Sequence, residues 1–258
     1  MHYGCMIRSC LVRHWMRKKP LQTNFCQEES ENMAIFDGEA QQYDEWYKSV
    51  SGAFVDLVES RLALRMLPVE PGMKALDAGC GTGNFSYKLA EKGAEVTAVD
   101  ISEDMLKKAK EKFPSHTNSI VFKQADLYQL PFSEGSFDAV ASMAVFEFFH
   151  DGQQVFNELY RVLKPGGYLL IGTINKDSSW GELYQSEDFQ KSTVFKHASF
   201  KTMEDLQKYC PETFVKGKEC LFVPPTADDS NFTLQQEEIL AETEKGGFIC
   251  ALWQKTDS

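Results

Sequence analysis

The sequence contains no apolar run near the 18–20 or so residues that a membrane helix needs, so a spanning segment is excluded. Basic residues are also scarce: 27 Lys and Arg face 38 Asp and Glu, giving a formal net charge of −11. That balance argues against a large nucleic-acid footprint, because phosphate backbones are held mainly by clustered Lys and Arg. Cys-x-x-Cys spacing is missing, and the seven cysteines are an odd number, so neither a zinc ribbon nor a thioredoxin-like pair is legible. No metal site is expected, and a reducing, cytoplasmic setting fits this cysteine usage. What remains is ordinary for a globular chain: 258 residues, 43% apolar and 25% charged, enough to bury a core in one large domain or two small ones.

Acidic residues are absent from the first 26 positions, which hold Arg8, Arg13, Arg17, Lys18 and Lys19 together with Cys5, Cys10 and Cys26. Residues 1–32 are expected to be a disordered leader or sequence ahead of the true start, with Met33 as that start. Gln27-Glu28-Glu29 is how a purine-rich ribosome-binding tract would read in frame. An Arg-containing transit peptide is the alternative.

From Gly38 onward the pattern is periodic. Tyr43, Trp46 and Tyr47 lie on an aromatic-rich helical stretch, and Phe54, Val55, Val58 and Leu62 recur at helical spacing. Strands are expected over Met73–Asp77, Glu95–Asp100, Ser119–Gln124, Phe137–Met143, Tyr168–Ile174, Thr213–Val223 and Gly247–Lys255. Helices are expected over Phe85–Lys92, from the Ser102 cap to Phe113, from Asp151 to Leu163, and over Thr202–Tyr209. Lys164-Pro165-Gly166-Gly167 reads as a turn into the fifth strand. Strands alternating with helices predict a doubly wound, Rossmann-like α/β sheet with helices on both faces. Residues 33–258 read as one domain, with N-terminal lid helices over 33–70 and a substrate-side insert over 176–200. The stretch Asp228–Glu244 holds six acidic residues and no basic one, the pattern of a solvated face.

The chemistry concentrates between the first strand and the first helix after it, at Ala75-Leu76-Asp77-Ala78-Gly79-Cys80-Gly81-Thr82-Gly83-Asn84. Glycines there let the backbone pass close to a ligand, and the free N–H groups of the following helix face the same place. A dinucleotide fingerprint would want Gly or Ala at position 84, where this chain has Asn, and Asp77 would repel a pyrophosphate. Asp100 ends the second strand, placed to take both hydroxyls of a ribose. Asp126 follows the third strand and can accept from an exocyclic amine. All three acids fall at carboxyl ends of strands, where open α/β sheets bind ligands.

These residues resemble the class I S-adenosylmethionine-dependent methyltransferases, specifically the small-molecule group that includes the ubiquinone and menaquinone enzymes. The likeness runs over about residues 38–175. It rests on Leu76-Asp77-Ala78-Gly79-Cys80-Gly81-Thr82-Gly83, Val99-Asp100-Ile101-Ser102, Ala125-Asp126 with Leu130-Pro131-Phe132, Ser136-Phe137-Asp138, and Arg161-Val162-Leu163-Lys164-Pro165-Gly166-Gly167. The resemblance implies a seven-stranded sheet, mostly parallel with an antiparallel last strand, and S-adenosylmethionine as cofactor. It assigns Asp77 and the turn residues Gly79, Cys80 and Gly81 to the methionine half, Asp100 and Ile101 to the ribose and adenine, Asp126 with Leu127 to the adenine edge, and Ser142 and Met143 to the neighbourhood of the sulfonium.

The reaction so implied is in-line methyl transfer to a small-molecule acceptor, for which positioning and desolvation matter more than a covalent intermediate. Whether a general base is needed depends on the acceptor. Glu147, His150 and His197 are the candidates; the family commonly carries His where this chain has Glu147. Trp180 and Tyr184 of the insert, like the aromatics of the lid helices, can cover the cofactor, stack on an acceptor or pack in the core. Ser142-Met143-Ala144-Val145 is not the Asn-Pro-Pro-Tyr type that methylates amino groups of bases or glutamine, and no Pro-Cys dipeptide exists for a cytosine-C5 enzyme. Two other readings stand beside this one: a non-catalytic module that binds S-adenosylmethionine, and an NAD-dependent oxidoreductase.

Overall fold

The computed structural model describes residues 40–113 and 119–256. The leader, Met33 and the cysteines at positions 5, 10 and 26 lie outside the described residues, as does the side chain of Tyr43. All seven strands join one sheet in the order β3-β2-β1-β4-β5-β7-β6. They are β1 (Lys74–Ala78), β2 (Glu95–Asp100), β3 (Ile120–Gln124), β4 (Phe137–Met143), β5 (Leu163–Ile174), β6 (Phe214–Cys220) and β7 (Phe248–Gln254). Strands β1 to β5 pair in parallel, and β7 runs antiparallel to both of its neighbours, β5 and β6. The central strands are buried on both faces, which is why they read as near-continuous apolar runs.

Two apolar layers cover the sheet. On one face lie α1 (Ala40–Tyr47), α2 (Val50–Met66), α3 (Asn84–Glu91) and α4 (Glu103–Lys112), together with α6 (Ser179–Gln185) of the insert, through Trp46, Phe54, Val55, Val58, Leu89, Leu106 and Trp180. The other face is covered by α5 (Gly152–Val162) through Val155, Phe156, Leu159 and Val162, with Leu206 of α8 (Met203–Gln207) beside them. The helix starts follow the caps legible in the sequence: the Ser102 hydroxyl accepts from the Met105 N–H and the Asp151 carboxylate from the Gln154 N–H. At its other end α5 hands its last carbonyls to Lys255, whose buried ammonium donates to Tyr160, Arg161 and Leu163 oxygens at 3.0, 3.2 and 2.9 Å.

Two strands differ from the sequence-based boundaries by more than one residue. β5 begins at Leu163, five residues before Tyr168, because the Lys164–Gly167 turn is absorbed as an irregularity: Phe137 pairs with Leu163, and the register resumes at Ala139 with Tyr168. Gly166 takes a φ of +75° there. β6 stops at Cys220, three residues short of Val223. The N–H groups of Leu221, Phe222 and Val223 are taken instead by the carboxylate of Glu237, on α9 (Leu234–Leu240), and Leu221 adopts a φ of +66°. One of the six acids read as a solvated face is thus buried and terminates a strand; burial raises its pKa against those three bonds. In the insert, α6 is followed by α7 (Glu187–Ser192). Its Trp180, Tyr184, Phe189, Phe195 and Phe200 pack on one another, Tyr184 and Phe195 with ring centroids 4.5 Å apart.

Candidate cofactor and acceptor site

β1 and β4 are neighbours at the point where the strand order reverses, so their carboxyl ends open a crevice. The glycine turn is folded against the end of β2: the N–H groups of Gly79 and Cys80 both donate to the Val99 carbonyl, at 2.8 and 2.9 Å. Gly79 has a φ of +80°, and a Cβ there would stand 2.6 Å from Cγ1 of Val145, so the turn tolerates no side chain at this point. Gly81 differs. At a φ of +52° it faces open space, with nothing within 4 Å of where a Cβ would stand.

Three carboxylates surround this turn. Asp77, one residue before the end of β1, is fully buried, its carboxylate held by the Ser86 hydroxyl of α3. Burial pushes its pKa up to about 7; the Ser86 hydrogen bond works against that rise and the charge of Asp100 adds to it. Asp100 accepts from the Gly81 N–H at 2.8 Å and from the Ser102 N–H at 2.9 Å, tying the turn to the start of α4. Asp126 is exposed and accepts from the Tyr128 N–H at 2.9 Å. Ile101 sends its carbonyl to Gln124, Leu127 is buried in the second layer, and Met143 is partly buried at the end of β4. The Cys80 thiol is buried in the first layer and donates to the Gly81 carbonyl at 3.7 Å, and burial raises its pKa well above the ordinary value.

The candidate bases differ in exposure. Glu147 is buried in the turn after β4, accepts from the Thr173 hydroxyl at 2.8 Å, and has its pKa pushed up to about 7 by burial. Its carbonyl takes the Ser199 N–H, which fastens the end of the insert to the loop after β4. His150 and His197 are both exposed; His197 is lowered by partial burial, by Lys196 and by His150.

Sequence reasoning passed over several residues that the fold brings to this crevice. Asp44 of α1 takes the Thr82 hydroxyl at 2.8 Å and the Lys112 ammonium at 2.7 Å, and Lys112 also reaches Asn84 at 2.6 Å. The first helix is thereby strapped to the glycine turn and to α4. Val145 covers Gly79, and Ser86 holds Asp77. Only Ser86 carried a local signal, standing nine positions after an acid in a strand–turn–helix unit.

A glycine turn at the switch point of a seven-stranded sheet, with acids at three successive strand ends, defines a Rossmann-like α/β fold with its crevice at the strand ends. The protein-family model described as a methyltransferase domain matches residues 76–171. YqeM of Bacillus subtilis, named as a methyltransferase, is 33% identical over 181 residues, 69% of this chain and 62% of that protein. An uncharacterised protein of Methanocaldococcus jannaschii is 33% identical over 185 residues, 72% of this chain and 82% of that protein. Demethylmenaquinone methyltransferase of Lactococcus lactis is 29% identical over 226 residues, covering 86% and 83% of the two chains. The chain spans less than half of a malonyl-[acyl-carrier protein] O-methyltransferase that it also matches. Among solved structures, an S-adenosylmethionine-dependent methyltransferase of Thermotoga maritima superposes with a TM-score of 0.68 at 24% identity, over 86% of this chain and 99% of that one, a likeness of fold. Over residues 76–171 the chain carries the methyltransferase domain, in a fold like that of the Thermotoga enzyme. No helix among the described residues is long and apolar enough to cross a membrane.

Proposed function

We propose that the protein binds S-adenosylmethionine at the β1–α3 turn and transfers its methyl group to a small-molecule acceptor held between the lid helices and the insert. The observation that carries this reading is the Gly81 position: a left-handed residue over open space, its N–H fixed by Asp100, beside the buried Asp77. These residues suit the cofactor. Asp100 offers two carboxylate oxygens beside the turn, and a cationic amino group would draw Asp77 into its charged form. Asp126, Leu127 and Ile101 extend the same rim toward the adenine. The bound cofactor supplies an electrophilic methyl group on a positively charged sulfur.

The residues of the chain orient and exclude water rather than form a covalent intermediate. Relatives named for acceptors as unlike as a demethylmenaquinone and a malonyl-carrier protein share this sequence pattern, so the acceptor is set outside the turn. A cytoplasmic location agrees with the cysteine usage. The test is calorimetric titration with S-adenosylhomocysteine and with NAD: micromolar binding of the first and none of the second is expected, and the reverse would sink the reading. Release of S-adenosylhomocysteine on incubation with S-adenosylmethionine and a panel of small acceptors tests turnover against a module that only binds.

A further inference from the structure

Helix α2 lays an apolar stripe on the sheet through Val55, Val58, Ala63 and Met66, all buried. Glu59 stands inside that stripe, one turn after Val55 and one turn before Ala63. A lone acid there is out of keeping with its surroundings. It is partly buried and keeps accessible surface, and no hydrogen bond joins its carboxylate to any described residue. Partly buried on an inward stripe and unpartnered, it has the setting of a group lining a cleft, since a core carboxylate would be hydrogen-bonded.

The groups that face it fix its position. Its charge acts on the thiols of Cys250 in β7 and Cys220 at the end of β6. Cys250 pairs with Gly172, and Gly172 pairs with Met143, the last residue of β4. Glu147, Asp56 of its own helix and Lys88 of α3 act on it in turn. Lys88 is committed elsewhere, with both Asp56 oxygens and the Ser60 hydroxyl at 2.6 Å from its ammonium. On α1, packed against the same apolar layer, the indole N–H of Trp46 is buried without a partner. The two lid helices therefore present one unused acceptor and one unused donor.

We propose that Glu59 is the catalytic residue that receives the acceptor's proton, in an acidic cleft that admits neutral or cationic acceptors and rejects anionic ones. This rests on the methyl-transfer reading above. The acceptor's X–H bond breaks, its proton goes to a Glu59 oxygen, and the electron pair left on X forms the new bond to the methyl carbon while the old C–S pair stays on sulfur. Burial, with Asp56 and Glu147 nearby, holds the Glu59 carboxyl well above the usual carboxylate range, and Lys88 works against that rise.

Wild type, Glu59→Gln and Glu59→Leu decide it. All three are expected to bind S-adenosylhomocysteine within two-fold of one another; failure of the wild type to bind overturns the methyl-transfer reading and this proposal with it. At pH 7.5 Glu59→Leu is expected to raise the melting temperature by about 2–4 °C, because an unpaired acid leaves an apolar stripe. A fall of that size marks a structural role and overturns the proposal while leaving methyl transfer intact. Loaded with S-adenosylhomocysteine, the wild type is expected to bind tyramine or catechol and not 3-phenylpropionate, and Glu59→Gln to bind the same probe at least ten-fold more weakly. With S-adenosylmethionine in its place, methylation of that probe should lose the acid limb of its pH profile in Glu59→Gln. Binding of none of the three probes, preference for the anion, or an unchanged Gln variant overturns it.

Discussion

The two ends of the crevice are built in opposite ways. At the cofactor end every acid is already spoken for: Asp77 by Ser86, Asp100 by the Gly81 and Ser102 N–H groups, Asp126 by Tyr128. On the helices that we propose to hold the acceptor, Glu59 and the Trp46 indole are left without partners among the described residues. Satisfied groups hold a fixed geometry for a ligand that never changes, whereas unsatisfied ones are costly in the empty protein and gain only when the right molecule arrives. The family's shared cofactor and varied acceptors follow the same division.

The largest test of this contrast is the pH dependence of stability. Asp77 and Glu147 ionise at ordinary values when unfolded but only near pH 7 when folded. The folded state therefore binds more protons in between. Its advantage from these groups is complete at pH 4 and is lost as the pH rises through 7, on the order of 3 kcal/mol for each group. Urea unfolding from pH 5 to pH 8 should show that decline, and Glu147→Gln should flatten it. A rise in stability over this window would break the account of both buried acids. Binding of a cationic amino group at Asp77 should oppose its share, so the cofactor product should bind more tightly as the pH climbs from 6 to 8, and Asp77→Asn should lose that trend.

Next in size is Asp100→Ala. It removes the carboxylate that holds two backbone N–H groups beside the turn, and calorimetry should show S-adenosylhomocysteine affinity reduced by roughly 1–3 kcal/mol. Unchanged affinity would mean that the cofactor end is not where we place it. Gly79→Ala should cost about 1–2 kcal/mol of the same affinity, through its left-handed φ and its clash with Val145, and pairing it with Val145→Ala should restore part of the loss. Asp44→Asn is the smallest effect. Its ion pair with Lys112 is partly exposed and is worth at most about 1 kcal/mol, so the melting temperature should hardly move. Stopped-flow release of S-adenosylhomocysteine should nevertheless quicken about three-fold if α1 closes over the cofactor end; an unchanged rate would confine the strap to a packing role.

The cofactor end was legible because it is contiguous. Asp77, Gly79 and Gly81 lie within five residues, and Asp100 ends the next strand, so strand periodicity and turn chemistry place them without any knowledge of packing. The ends of β5 and β6 were not legible, because a bulge at Gly166 and a carboxylate 14–16 positions away from Leu221–Val223 decide them. Glu59 escaped notice for a related reason: one Glu in an amphipathic helix reads as solvated until the helix is docked and its inward stripe is known.

The sequence by itself determined the alternation of strands and helices, the caps of α4 and α5, and the glycine turn with its acids, since each follows from residues near one another along the chain. Tertiary structure alone decided that Asp44 straps the first helix to that turn, that Glu147 is buried and Glu59 partly so, and that Glu237 ends a strand. Those outcomes depend on which helix face meets the sheet and on the loss of water around a charge, and both are set only when distant segments pack.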